Sequence, residues 1–361
     1  MTVGGAAGRR FRAAPVALAL LAGLALRVAL ALLVPPNYDQ ASWAEAAAIA
    51  ARGGNLYLET ERYNYAPVWG QLLGGLGRMA RAGDLPLFVV VRLFLTLCDL
   101  VNAFLVARLA AGAGAAFPTG ALLLYWLSPV SVLLASVHGQ FETLAALPLL
   151  FASALLLRAE RRPPLLLLWA LATLALVTKH LLVFSVLVFF AYLAATAGGA
   201  LLLFALSAGA FAFSFVPYLP EGLSGIVRGV LLYRSYPEPY SPFTAMPLAA
   251  ALPLFLVAMA GVPALARRRG LSLQPALELS AVALVVFIPG IGEQYFLLPV
   301  LFGASRRRGG WWLFSAAATL FLLGSPHNVH LFDLAWRWPL VWAAAALWLA
   351  GLLYEELRAP S

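Results

Sequence analysis

"AAPVALALLAGLALRVALALLVPPNYDQASWAEAAAIA", residues 13–50, decides what kind of protein this is. Residues 13–34 are apolar apart from Arg27. At about 1.5 Å per residue, such a run is long enough for the roughly 30 Å hydrocarbon core of a bilayer. Pro35-Pro36 then ends it, and a polar stretch begins in which Asp39 stands between Tyr38 and Trp43. A membrane span followed at once by an acid among aromatic rings raises the question of what that acid serves.

The rest of the chain has the same character. Of 361 residues 63% are hydrophobic and 11% charged, against about 45–50% apolar and 25% charged in soluble domains. Mean hydropathy is +0.89. Net charge is +9, but the arginines sit in short clusters between apolar runs and form no basic face, so no nucleic-acid partner is expected. The single Cys98 excludes a disulfide within the chain, and nothing suggests a thiolate metal site. "RRFR" (9–12) before the first run suits a signal peptide, yet the run is too long and Pro35-Pro36 is a poor cleavage site. A retained first span is expected.

The apolar pattern predicts an all-α polytopic membrane protein with about twelve spans: 13–34, 85–107, 116–136, 142–157, 164–178, 181–197, 200–218, 246–265, 274–290, 294–304, 311–324 and 338–354. With the N-terminus cytoplasmic and spans alternating, the inner ends collect Arg9, Arg10, Arg12, Arg108, Arg158, Arg161, Arg162, Arg267, Arg268, Arg269, Arg306, Arg307, Arg308 and Arg358. The only acids there are Glu160, Glu278, Glu355 and Glu356. That asymmetry is the positive-inside pattern. All four histidines fall outside. The chain is expected to be one integral membrane domain, 1–361, with long outer loops at 35–84 and 219–245. No repeat relates its halves, which speaks against duplicated transporter bundles.

In the first outer loop, "NYDQASWAEAAAIAARGGN" (37–55) reads as a short helix stopped by Gly53-Gly54. "LYLETERYNYAPVW" (56–69), with Glu59 and Tyr65, reads as an extended acidic and aromatic loop. "GQLLGGLGRMARAG" (70–83) reads as an amphipathic helix on the membrane surface. A carboxylate at the start of an interfacial helix beside aromatic faces suits a sugar-binding general base. The plainer reading of Asp39 is a helix N-cap. His138, Gln140 and Glu142 cluster at an outer turn, where the alternative is a polar hairpin.

Two spans are short. Pro163 to Lys179 covers about 24 Å of helix and Glu293 to Arg306 about 20 Å, so Lys179, His180, Glu293 and Gln294 are expected below the outer surface. Ionisable groups at that depth usually line a cavity. Lys179 is the only lysine; it could hold a lipid phosphate or simply pair with Glu293. Arg27, Arg92 and Asp99 read as buried or snorkelling structural charges. "SPHNVHLFDLAWRW" (325–338) reads as an aromatic-belt loop, and its His327-x-x-His330 lacks an obvious carboxylate to complete a metal site.

Four stretches taken in order carry a resemblance: "YDQASWAEAA" (38–47), "YNYAPVWGQLL" (63–73), "LSPVSVLLASVHGQFETLA" (127–145) and "GEQYFLLPVLFG" (292–303). Together the chain resembles the C-type (GT-C) polytopic glycosyltransferases that use polyprenyl-phosphate sugars. In pattern it is closest to the dolichyl-phosphate-glucose-dependent glucosyltransferases of N-glycan precursor assembly and their prokaryotic mannosyltransferase-like relatives. The resemblance implies that Asp39, the acid just after the first span, is the catalytic base. Where that family often has Asp-Tyr-Pro-Pro, this chain has Asn64-Tyr65-Ala66-Pro67. Where the glucosyltransferases have His-Glu-Lys, it has Gly292-Glu293-Gln294, which leaves Lys179 and His180 as contacts for the donor phosphate and argues against assigning glucose.

The expected activity is an inverting hexosyl transfer, of mannose or glucose, from a polyprenyl-phosphate donor to a glycan, glycolipid or protein acceptor. Tyr38, Trp43, Glu59, Tyr65, His138, Gln140, Glu142, Glu293 and Gln294 would bind substrate. No cofactor is implied, and a divalent metal ion stays open. A transporter or flippase of a lipid-linked sugar is the alternative from another class, and a purely structural membrane subunit a third. Residue usage suggests a GC-rich prokaryote, hence the plasma (inner) membrane.

Overall fold

The computed structural model describes residues 13–158, 163–233, 240–306, 308–334 and 336–358. Arg9, Arg10, Arg12, Glu160, Arg161, Arg162 and Arg307 of the charge map lie outside the described residues, as do residues 234–239 of the second long loop. Every regular element among those described is helical. That follows from the apolar runs, because a backbone facing lipid must satisfy its own hydrogen bonds, which a helix does locally.

Each of the twelve apolar segments has a helical counterpart, but they are not twelve equal spans. The chain begins with α1 (Ala13–Leu33), the loop helices α2 (Tyr38–Ala51), α3 (Leu56–Glu59) and α4 (Pro67–Ala82), then α5 (Leu87–Gly112). Next come α6 (Pro118–Trp126), α7 (Pro129–Leu133) with a π turn Leu134–His138, α8 (Glu142–Arg158) and α9 (Leu165–Thr178). After a 3₁₀ turn, His180–Leu182, follow α10 (Val183–Leu193), α11 (Ala197–Phe213), α12 (Leu223–Ile226), α13 (Pro242–Ala245), α14 (Leu248–Arg269) and α15 (Leu273–Phe287). A second 3₁₀ turn, Glu293–Phe296, leads to α16 (Leu297–Gly303), α17 (Gly309–Leu323) and α18 (Arg337–Arg358).

Five of these are long and apolar enough to cross a membrane: α1, α5, α11 with the turn to Tyr218, α14 and α18. A sixth arises if α6 and the Pro129–His138 pair, bent by 45°, count as one span. The remaining apolar helices, including α8, α9, α10, α15 and α17, are shorter. The 14 residues of α9 rise only about 21 Å. This is a membrane protein with five or six full-length helices and several short apolar ones. Of these, α9 ends at Lys179, and α15 ends at Phe287, ahead of the turn that holds Gly292-Glu293.

The segment 35–84 folds as its sequence predicts at α2, which Gly53 (φ 75°) ends. The amphipathic α4 differs from expectation. Its buried face, Trp69, Leu73, Leu76 and Ala80, packs against α2 rather than facing lipid. Gly74 and Gly77 let the helices approach: a Cβ on Gly74 would stand 3.0 Å from the Cβ of Ala50. Trp69 stacks on Phe141 (centroids 4.3 Å apart, planes at 9°) and meets Trp43 edge-on at 5.4 Å.

Arg27, Arg92 and Asp99 are fully buried, which decides against snorkelling. One terminal nitrogen of Arg27 lies 2.8 Å from Asp99, the Trp126 carbonyl and Ser131, which share its two N–H bonds. Its guanidinium lies 4.1 Å from the Trp126 ring centroid, and Tyr125 and Ser131 also donate to Asp99. Arg92 donates to the carbonyls of Ala31 (3.2 Å), Val34 (2.6 Å) and Pro35 (2.9 Å), and to Gln40 (2.9 Å). It thereby gathers the unpaired carbonyls at the end of α1 and fixes the start of α2.

Candidate active site

Asp39 is not a cap. Asn37 is: its side chain accepts from the Gln40 N–H, and Gln40 reaches back in a capping box. The Asn37 amide also donates to the carbonyls of His138 (3.2 Å) and His327 (3.0 Å). Gln40 donates to those of Val137 (3.2 Å) and His138 (3.0 Å). These bonds clamp the first turn of α2 to the π turn, which Gly139 closes at φ 74°. A Cβ there would stand 2.5 Å from the Gln40 amide. Gly139→Ala is therefore expected to lower stability by about 1–3 kcal/mol, read as a lower unfolding temperature in detergent, and to disturb Asp39 with it.

The clamp points Asp39 into a cavity of about 210 Å³. Its Oδ2 meets His138 Nε2 at 3.0 Å and accepts from the Gln140 amide. Both contacts fall on one oxygen, and the side chain is 31% exposed, so Oδ1 is left for a ligand. Burial is the largest influence on this carboxyl and pushes it upward. The hydrogen bond from His138 and the charges of His138, His327 and Lys179 outweigh burial and hold it below its ordinary 3.8. Asp39 is ionised at neutral pH. Burial, then the carboxylates of Asp39 and Glu142, raise the nearby Tyr65 phenol well above its ordinary range, so it stays protonated.

Lys179 sits in the break between α9 and the following 3₁₀ turn, with extended backbone (φ −147°, ψ 110°). Its ammonium pairs with Glu142, not with Glu293. It also lies over Phe141 (4.4 Å), Tyr65 (5.3 Å) and Tyr295 (5.9 Å), within the range of cation–π attraction. Glu293 instead faces His138, with Oε1 3.1 Å from Nδ1, an ion-pair contact off the line of the N–H. Lys179→Met should leave Glu142 buried and unpaired. The expected loss is about 3–5 kcal/mol, as for other buried pairs that lose one partner. Lys179→Met with Glu142→Leu should recover most of that stability and none of the function assigned to Lys179; thermal unfolding and activity of the two variants check this.

Of the residues singled out from sequence, Asp39, Tyr38, Trp43, Tyr65, His138, Lys179, His180, Glu293 and Gln294 line this cavity. Gln140 and Glu142 stand behind it, bonded to Asp39 and Lys179, and both are buried rather than in an exposed polar hairpin. Glu59 is misplaced by the sequence reading. It accepts from the Asn55 N–H (2.7 Å) and pairs with Arg52, away from the cavity. The reading also missed Arg62, Asn64, His327, Arg337 and Trp338, which line it. His327 stacks on His138 (5.9 Å, 13°), and Arg337 donates to the Gly324 carbonyl at 2.7 Å. Trp338 belongs to the cavity rather than to an aromatic belt; Trp336 is 58% exposed. No signal in "SPHNVHLFDLAWRW" separates a belt from a cavity wall. Among the described residues no three His, Cys, Asp or Glu side chains are grouped to hold a metal ion.

Comparison with protein-family models and with curated proteins gives no match to this chain.

The arrangement places an ionised, reachable carboxylate and a caged ammonium on one cavity wall set, among aromatic faces. Chemically it can accept a proton, stabilise a developing anion and stack on a ring.

Proposed function

We propose that this membrane protein is a polytopic glycosyltransferase that moves a hexose, mannose or glucose, from a polyprenyl-phosphate donor to an acceptor hydroxyl on the extracytoplasmic side. The acceptor is a glycan, glycolipid or protein. The observation that carries the reading is that one cavity holds both Asp39 and Lys179, with the lysine at a helix break. Irregular backbone within a membrane is tolerated where it lines a cavity.

Asp39 Oδ1 takes the acceptor proton while the acceptor oxygen attacks the anomeric carbon from the face opposite the phosphate. The configuration inverts. The depressed carboxyl is a weak base, but the attacking oxygen becomes acidic as its bond to carbon forms, so the proton moves late. The phosphate leaves against Lys179, whose ammonium has two N–H bonds beyond the one given to Glu142, with a hydrogen bond from the uncharged His180 ring. Positive charge already in place at the leaving group is where such a site gains most. Tyr38, Trp43 and Tyr65 offer faces to the sugar, and Glu293 and Gln294 bind its hydroxyls. The N-terminus is cytoplasmic, the membrane is a prokaryotic plasma membrane, and the short apolar helices complete the twelve-segment bundle.

The test is release of polyprenyl phosphate by the purified protein given polyprenyl-phosphate mannose or glucose with candidate acceptors. Cavities at helix breaks also serve transporters. Donor binding and passage across proteoliposomes, without release under any acceptor, would replace the transferase with a flippase of the same lipid-linked sugar.

A further inference from the structure

His138 has a carboxylate at each ring nitrogen: Asp39 Oδ2 at 3.0 Å from Nε2 and Glu293 Oε1 at 3.1 Å from Nδ1. All but the Asp39 end is buried, with His138 2% and Glu293 6% exposed at the side chain. A neutral imidazole carries one N–H. In the Nδ1–H tautomer the Nε2 lone pair faces Asp39 Oδ2 at 3.0 Å, which is repulsive, and in the Nε2–H tautomer Glu293 Oε1 stands 3.1 Å from a bare Nδ1 with no positive charge to balance it. The one relief is the Gln140 amide, 3.0 Å from Nε2, if it donates to the ring. A cationic ring donates to Asp39 through Nε2 and sets its positive charge beside Glu293. Other charged or titratable groups lining the same cavity are His327, stacked on the ring from the loop between α17 and α18; Arg337 at the start of α18; Lys179 and His180 at the break after α9, Lys179 neutralised by Glu142 of α8; and Tyr38, Glu61, Arg62, Tyr65, Tyr233 and Tyr295. Arg92 of α5 acts at one remove, through Gln40.

We propose that Asp39, His138 and Glu293 form a carboxylate–imidazolium–carboxylate chain in which His138 is a positioning residue for the base and Glu293 holds its charge. This rests on the transferase reading. The imidazolium occupies Oδ2, which turns Oδ1 toward the acceptor. In the transfer step the acceptor O–H bond breaks and its proton goes to Oδ1. The oxygen lone pair forms the new bond to the anomeric carbon, and the pair of the old C–O bond leaves on the phosphate. His138 keeps both protons throughout. When Asp39 is neutral, Glu293 still pairs the imidazolium, so the base returns by losing its proton to water with no rearrangement of the ring.

The chain has only four histidines, so ¹⁵N-histidine NMR of the full-length protein in lipid nanodiscs can read each ring. His138→Gln identifies the His138 signal. The expected spectrum at pH 7.5 has both His138 nitrogens protonated, and Glu293→Gln, which keeps the shape, returns the ring to a single N–H. One protonated nitrogen in the wild type at that pH would overturn the proposal. Should His138→Gln fail to fold, the loss of one imidazolium signal in Glu293→Gln makes the assignment. In kinetics, Glu293→Gln is expected to bring the alkaline fall of kcat down by about one pH unit or more. A merely structural role would leave that limb in place, and an unmoved limb sinks the positioning role. An imidazolium in a protein that transfers no sugar to any acceptor would support the charged chain and reject the transferase reading.

Discussion

Asp39→Asn is expected to fold and insert like the wild type and to lose about 10²- to 10⁴-fold in transfer rate, the range general-base help contributes. Asparagine keeps the size and an oxygen that can still accept from His138 and Gln140, so the clamp between α2 and the π turn survives. That clamp is made by Asn37, Gln40 and Arg92 and does not use the Asp39 carboxylate. What the substitution removes is the ability to take a proton. The measurement is kcat for polyprenyl-phosphate release with donor binding measured alongside. Unchanged kcat would remove Asp39 from the role. Because Asp39 is held below 3.8, it contributes no acid limb to the rate above about pH 4. By the same sign, whatever its native partners add to stability is present above 3.8 and is lost only as the pH falls further.

The second large effect is structural. Arg27→Met is expected to cost about 3–5 kcal/mol, because Asp99 would keep its burial and lose its counter-charge. Tyr125 and Ser131 would still donate to Asp99, which satisfies its lone pairs but not its charge. The Trp126 carbonyl would lose its donor too. Arg27→Met with Asp99→Leu should recover most of the loss, since two apolar side chains in place of a buried pair are often neutral. Thermal unfolding in detergent of the two single variants and the double completes a mutant cycle. A double variant no more stable than Arg27→Met would show that the carbonyl and hydroxyl bonds, not the charge pair, hold α1 to α5.

Much of the site was legible in the sequence for local reasons. Asp39 follows a span and a Pro-Pro stop, so its place near the membrane edge follows from chain order. The lengths of two short spans set Lys179, His180 and Glu293 below the outer surface as groups that line a cavity, and the structure brings the three to one cavity wall, Lys179 at the end of α9 and Glu293 in the turn after α15. Glu59 was misread because an acid in an aromatic loop looks the same whether it faces a ligand or caps the turn beside it. The sequence reading treated all twelve apolar segments alike, whereas among the described residues five helices, or six with the bent pair, are long and apolar enough to cross a membrane.

The sequence by itself determined membrane character, the helical alphabet, the order of segments and the acid after the first span, because all of these are set by composition and spacing along the chain. Only the tertiary structure decided that Lys179 pairs with Glu142, that His138 stands between Asp39 and Glu293, and that His327 and Arg337 join the cavity. The reason is physical. Lipid tails are as apolar as the side chains of a neighbouring helix, so a helix that is apolar all round records little of which face turns inward. Its rotation, and with it the partner of each buried charge, is fixed only when the helices pack.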